Sequence, residues 1–169
     1  MSETPRVVGI DTSLRSTGIG VVEAVGSRIV ALAHETVSIP QRYSKSECLL
    51  RLSERVRAIV QKHNPTAVAI EGVFFCRNVR TAISLGEARG TVIACCAEMK
   101  IPAYEYEPRR VKQAVVGNGA ASKEQVQHMV TTILALSATP PEDESDALAI
   151  AICHLHNMNR PSIMMPDTI

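Results

Sequence analysis

The sequence has no tryptophan, and aromatic residues make up only 3% of it. Its two phenylalanines, Phe74 and Phe75, stand side by side. No Cys-x-x-Cys pair occurs among the five cysteines (Cys48, Cys76, Cys95, Cys96 and Cys153). An odd count without that spacing argues against a zinc site and against a disulfide framework. It fits buried or free thiols in a reducing compartment. No apolar run approaches the ~20 residues that span a bilayer, and no secretory leader pattern opens the chain. A cytoplasmic protein with no membrane partner is expected. Excess charge of one sign is also lacking: 18 Lys and Arg against 17 Asp and Glu give a net +1. Bulk charge therefore announces no nucleic-acid partner, and the position of each charge matters more than the sum. Linkers, repeats and low-complexity blocks are absent too. With 169 residues, 46% of them hydrophobic, the chain suits one domain around one core.

What is present is a run of strands followed by helices alternating with strands. Arg6 to Asp11 is a short apolar run ending in a carboxylate, which reads as a buried strand. Thr17 to Val25 predicts a second strand, Gly26-Ser27 a hairpin turn, and Arg28 to Ser38 a third strand. In Ser44 to His63, Leu49, Leu52, Val56, Ile59 and Val60 recur at helical spacing, and Asn64-Pro65 stops the helix. Thr66 to Glu71 is a fourth strand, again ending in a carboxylate. A helix from about Asn78 to Met99, a strand from Ile101 to Tyr106, and helices at Pro108 to Val115, Lys123 to Ala135 and Glu142 to His156 complete a domain over 1–157. Residues 158–169 are expected to form a flexible tail. Right-handed crossovers place the fourth and fifth strands parallel to the first, beyond it from the hairpin. The expected fold class is α/β: a mixed five-stranded sheet of order 3-2-1-4-5 with helices on both faces, an arrangement that resembles the ribonuclease H-like fold.

In that sheet Asp11 and Glu71 end adjacent parallel strands, at the crevice where open α/β sheets place ligands. The last helix opens with Glu142, Asp143, Glu144 and Asp146. Acidic residues suit a helix start through the macrodipole alone. The following ALAIAI is apolar on every face, however, so this helix is buried and its start lies near the sheet. Periodicity leaves open which acids point inward: Asp143 and Asp146 share a face, and so do Glu142 and Asp146. Two carboxylates ~5 Å apart repel by roughly 3 kcal/mol at an effective dielectric of 20. Convergence of four therefore demands protons or cations. Oxygen ligands of this kind select Mg²⁺ or Mn²⁺, and two such ions suit phosphodiester hydrolysis.

Other features carry two readings each. Phe74 and Phe75 lie beside Arg77 and Arg80, a mixture that suits stacking on an unpaired base with phosphate contact, while either ring could instead be core. Arg109, Arg110 and Lys112 open one helix, and Lys123 opens the next. Ser122 and Gln125 have capping-box spacing, which accounts for that loop without any ligand; free backbone N–H groups there also suit a phosphate. Ala82, Gly86, Gly90 and Ala94 form a small-residue stripe on one helix. Glycine inside a helix costs ~1 kcal/mol relative to alanine, so the stripe implies close backbone approach, to the protein's own sheet or to a second chain.

Taken together, GIDTSLRSTGIGV, AIEGVFFCRN, LGEARG, VKQAVVGNGAASKEQVQHMV and DESDALAIAICH resemble, in their order, the RuvC-type Holliday junction resolvases. The likeness runs from about Val8 to His156. It implies a metal-dependent endonuclease that makes paired symmetric nicks in four-way junctions during recombination and repair. Carried over, the four acids are Asp11, Glu71, Asp143 and Asp146, with Lys112 and Lys123 serving the active site. Phe74 becomes the stacking ring, and the helix bearing Ala82, Gly86, Gly90 and Ala94 becomes a homodimer element. A branch-migration complex of the RuvA and RuvB type is the implied partner. Departures are Thr12-Ser13 where many members have Pro-Gly, Gly72 in place of Gln, and a tail that is not basic. They bear on DNA sequence preference rather than on the chemistry.

Three rivals share some of these features. Another ribonuclease H-like nuclease, acting on RNA or RNA–DNA hybrids, would use the same acids. A phosphotransferase of the sugar kinase or actin-like type has a similar Gly-Ile-Asp strand, but no Walker-type loop is present here and such proteins need a second domain. A non-catalytic junction binder would require some loss from the acid set, and all four acids are present.

Overall fold

The computed structural model describes residues 4–72, 78–158 and 165–169. Five strands form one sheet: β1 (Arg6–Asp11), β2 (Ser16–Val25), β3 (Arg28–Ser38), β4 (Ala67–Glu71) and β5 (Ala103–Tyr106), in the order β3-β2-β1-β4-β5. β1 pairs antiparallel with β2 and β2 with β3, whereas β4 is parallel to β1 and β5 to β4. This is the topology expected from the sequence.

The helices are α1 (Lys45–His63), α2 (Val79–Glu98), α3 (Pro108–Val116), α4 (Lys123–Ile133) and α5 (Glu142–Met158). They divide between the two faces of the sheet. Leu52, Val56, Ile59 and Val60 of α1 and Ala88, Val92, Cys95 and Cys96 of α2 pack on Val8, Ile10, Ile19, Val21, Val68 and Ile70. Residues of α3, α4 and α5 pack on the opposite face with Val7, Val22, Ala69 and Tyr106. Local chemistry sets several boundaries. Ser44 and Glu47 form a reciprocal capping box at the start of α1, and Ser122 and Gln125 form the expected one at α4. α4 ends two residues earlier than its sequence pattern suggests, because Ala135 takes a left-handed backbone (φ 50°) and Leu136 N–H closes onto the Thr131 carbonyl.

α5 is the central helix. Leu148, Ile150, Ile152 and Leu155 are buried, each contributing roughly 1.5–3 kcal/mol of apolar transfer. Its seat is a trench in the sheet floor. Gly9 of β1 lies opposite Gly20 of β2, and Asp11 lies opposite Gly18. A Cβ at Gly9 would sit 2.0 Å from the Ala147 carbonyl oxygen, one at Gly18 1.9 Å from that of Asp143, and one at Gly20 2.8 Å from the Leu148 nitrogen. Only hydrogen fits, so the α5 backbone rests on the strands themselves.

After α5, residues 159–164 lie outside the described residues. Near the C-terminus, Thr168 bridges Tyr104 antiparallel and Ile169 N–H donates to the Ala103 carbonyl at 2.9 Å. The last residues of the expected tail thus lie along β5.

Candidate active site

Strand parity decides where the acids point. Side chains alternate across a strand. With Val8 and Ile10 packed toward α1 and α2, Gly9 and Asp11 face α5. In β4, Val68 and Ile70 face α1 and α2, so Ala69 and Glu71 face α5. The parallel register sets Ile10 beside Ile70. One step further, Asp11 and Glu71 leave the carboxyl ends of adjacent strands, which run roughly 4.8 Å apart. The glycine trench then brings the first turn of α5 down over the same edge.

The four acids of that turn have different partners. Glu142 is ion-paired with Lys123. Asp143 accepts a hydrogen bond from the Ser16 hydroxyl at the start of β2. Glu144 turns away to β3, where Thr36 Oγ1 donates to it at 3.2 Å and His34 Nδ1 lies against its other oxygen. Asp146 interacts with Asp11 and Glu71. Sequence periodicity left the inward acids open, and the geometry separates Asp143 and Asp146 from Glu144.

Charge accumulates here without full compensation. Burial, then Glu71, Asp146 and Asp143, push the Asp11 carboxyl up to about 7, against a smaller opposing pull from Lys123. Glu71 is raised by burial and by Asp146, with Lys112 and Lys123 opposing. Asp146 is raised chiefly by burial, with Lys123 the largest opposing influence. Lys123 itself is raised by its hydrogen bond to Glu142 and by the acids around it. Among the described residues, no three Asp, Glu, His or Cys side chains are gathered closely enough to hold a metal ion as they stand. The donors are nonetheless all carboxylate oxygens, and burial with their mutual repulsion is what raises Asp11. That donor set fits a hard divalent ion.

The remaining sequence candidates are dispersed around this edge. Arg80 is exposed in the first turn of α2, and its N–H is capped by Asn78. Phe74 and Arg77, together with Phe75, lie outside the described residues. Arg109 is exposed, its stem packed over Gly119. Arg110 is tied inward, donating to Asn157 Oδ1 at 2.8 Å with its guanidinium 5.4 Å from the Tyr106 ring centre. On α2, a Cβ at Gly86 or Gly90 would meet nothing within 4 Å among the described residues. The stripe of Ala82, Gly86, Gly90 and Ala94 therefore does not pack on the sheet at its two glycines. Ser16, His34, Thr36 and the trench glycines were not singled out from the sequence. The glycines carried a signal: Gly18 and Gly20 fall two apart, on one face of a strand, with Gly9 in the neighbouring strand.

A five-stranded mixed sheet of this order, with carboxylates at the ends of β1 and β4 and at the start of a buried last helix, defines an acid-lined domain of the ribonuclease H-like class. The family model described as crossover junction endodeoxyribonuclease RuvC matches residues 7–154. Crossover junction endodeoxyribonuclease RuvC of Teredinibacter turnerae is 43% identical over 157 residues, covering 90% of this chain and 89% of that protein. The structure of T. thermophilus RuvC in complex with Holliday junction substrate matches at a TM-score of 0.91 and 35% identity, over 98% of this chain and 99% of that one. The yeast mitochondrial Holliday junction resolvase Ydc2 shares the fold at a TM-score of 0.63 and 12% identity, over 90% of this chain and 80% of that one. The chain belongs to the RuvC family.

Proposed function

We propose that this chain is a divalent-metal-dependent, structure-specific endonuclease that resolves four-way DNA junctions by paired symmetric nicks. One observation carries the metal reading: Asp11 is held up to about 7 among Glu71, Asp146 and Asp143, a cluster that a doubly charged cation would relieve. Asp11, Glu71, Asp143 and Asp146 are the residues to hold Mg²⁺ or Mn²⁺, two ions per site. When bound, such ions supply an activated water and stabilise the leaving oxygen of a phosphodiester.

The chain's own groups set up that chemistry. β1 and β4 fix two carboxylates on a rigid edge, and the trench fixes the α5 turn. The Ser16 hydroxyl holds Asp143 while Lys112 and Lys123 offset the acidic charge. Arg80 and Arg109 are free to meet backbone phosphates. On this proposal Phe74 stacks on an unpaired base, and Arg77 and Arg110 complete the DNA-facing set, Arg110 from its anchorage on Asn157 of α5. The cellular setting is the cytoplasm, with a branch-migration complex of the RuvA and RuvB type as partner. Among the described residues, no helix is long and apolar enough to cross a membrane.

Two active sites on one junction require two chains, and α2 supplies a surface for that. Val79 is 73% exposed and Ile83 54%, next to the open glycines of the Ala82, Gly86, Gly90 and Ala94 stripe. We expect Gly86→Leu and Ile83→Glu to shift the protein from two-chain to one-chain mass in sedimentation, with little change in thermal stability at low concentration. A Gly86→Leu chain that stays dimeric would refute this interface.

The experiment for the function is cleavage of a mobile four-way junction in Mg²⁺ or Mn²⁺, with fragments mapped to the nucleotide. Symmetric nicks that vanish in chelator are expected. Preferential cutting of an RNA–DNA hybrid would move the protein to another substrate. Junction binding without nicking would make it a structural binder, and ATP turnover would favour a phosphotransferase.

A further inference from the structure

A second basic site lies on the same end of the sheet, away from the carboxylates. A cleft of about 540 Å³ is lined by Val37, Ser38, Ile39, Arg42, Tyr43 and Arg51, among others. The Arg51 guanidinium lies 4.0 Å from the Tyr43 ring centre and that of Arg42 4.8 Å. Cations held against an aromatic face gain about 0.5–1 kcal/mol at exposed sites, so both arginines have a preferred place. Both are exposed, and among the described residues neither forms an ion pair. The other charges at the cleft are Arg55, which is paired with Glu35, and Glu54. Glu47, one turn before Arg51, is held below the ordinary range mainly by its hydrogen bonds with Ser44, with Arg51 adding a smaller effect.

The cleft is physically coupled to the acid cluster. Arg15, four residues after Asp11, donates to the Pro40 carbonyl at 2.9 Å and to the Tyr43 carbonyl at 3.0 Å. Ile39 N–H donates to the Arg15 carbonyl at 2.9 Å. Ser38 pairs with Ser16, whose hydroxyl holds Asp143. The segment carrying Arg42 and Tyr43 is therefore braced by the turn that leaves Asp11.

We propose that Arg42, Tyr43 and Arg51 form a phosphodiester-binding site for a duplex arm of the DNA substrate. This rests on the junction-nuclease reading above. Two guanidiniums fixed beside a ring present the fork of donors that matches phosphate oxygens, and the site reads no base. Strand spacing and rise place Ser38 roughly 12 Å from Asp11, with Tyr43 and Arg51 further out. At 3.4 Å per base pair, an arm crossing the cleft meets it about four to six base pairs from the bond being cut.

The test is equilibrium binding of a synthetic four-way junction by the full-length protein in chelator, across a salt series. Arg42→Ala with Arg51→Ala is expected to weaken binding by roughly tenfold. It is also expected to reduce the slope of log affinity against log salt by about one to two, since each phosphate contact contributes about 0.9. Arg28→Ala, at the far end of β3, serves as the surface control and is expected to change neither quantity. Neutral methylphosphonates four to six base pairs along the arm are expected to weaken native binding and to cost the double variant nothing further. An unchanged slope in the double variant, or an equal methylphosphonate penalty in both proteins, overturns the site while junction preference by the native protein survives. A native protein with no preference for junctions over linear duplex overturns the underlying function as well, and is told apart by that comparison.

Discussion

Asp11→Asn is expected to lower junction cleavage by about a thousandfold or more while making the metal-free protein more stable at neutral pH. The loss follows from replacing one of four carboxylates by a neutral amide, which offers a cation one uncharged oxygen in place of two that share a negative charge. Metal charge stabilisation supplies several kcal/mol, and each 1.36 kcal/mol is tenfold in rate. The gain follows from linkage. Asp11 titrates at 3.8 when unperturbed and at about 7 in the folded chain, so the native state binds the proton more tightly than the unfolded state. Stability is then greatest below the unfolded value and is lost as pH rises through the folded one. At 1.36 kcal/mol per unit the loss is on the order of 4 kcal/mol at most, shared with Glu71 and Asp146 because the three titrate together. Asparagine carries no charge and removes most of that slope. Thermal melts in chelator at pH 5 and pH 7.5 measure it: native protein is expected to lose stability between the two, and Asp11→Asn much less. Added Mg²⁺ is expected to stabilise native protein and not the variant. A variant that melts below native protein at pH 7.5 in chelator would contradict this account of the acid cluster.

Gly18→Ala is expected to be among the most damaging single-methyl changes in the chain. The added carbon would sit 1.9 Å from the Asp143 carbonyl oxygen, which is helix backbone and cannot rotate aside. Overpacking costs typically 1–3 kcal/mol when side chains can give way. Here the first turn of α5 must lift, so about 3 kcal/mol or more is expected, a large share of a domain's 5–15. Lifting that turn also carries Asp143 away from Ser16 and Asp146 away from Asp11. The variant should therefore need more Mg²⁺ for half-maximal cleavage at temperatures where it remains folded. Gly26→Ala is the contrast. It has a positive φ of 61° and open space around it, so its cost is the ~1–2 kcal/mol of left-handed backbone, with no change in metal requirement. Equal metal requirements for the Gly18→Ala and native proteins would separate the trench from the site.

Much of this was legible in the sequence, for reasons that particular residues make clear. Asp11 and Glu71 could be paired because each ends an apolar run short enough to be a buried strand, and handedness leaves few ways to arrange those strands. The burial of α5 could be read from ALAIAI, which has no polar face. The sorting of its four acids could not, since helical spacing gives Asp146 a common face with both Glu142 and Asp143. Their separation depends on Ser16, His34, Thr36 and Lys123, which come from three other elements. Glycine behaved in opposite ways at two places. The α2 pair, Gly86 and Gly90, suggested contact and meets nothing among the described residues. Gly9, Gly18 and Gly20 mark a close backbone approach of α5 to the sheet, visible only once strand register sets them side by side. The cleft at Tyr43 was equally invisible, because Arg15, Arg42 and Arg51 are brought together by a loop with no periodic pattern.

The seating of α5 on bare strand backbone has a consequence for how the molecule opens. Fraying of the far end of β3, the α2 terminus or the connecting loops can proceed while the helix stays in its groove, since its closest backbone approach is to Gly9, Gly18 and Gly20 of β1 and β2 at the middle of the domain. The buried middle of α5 is thus expected to exchange its amide hydrogens last, while the chemistry-bearing first turn, whose leading N–H groups have no partner within the helix, exchanges sooner and is held in place by its attachment to that slow unit.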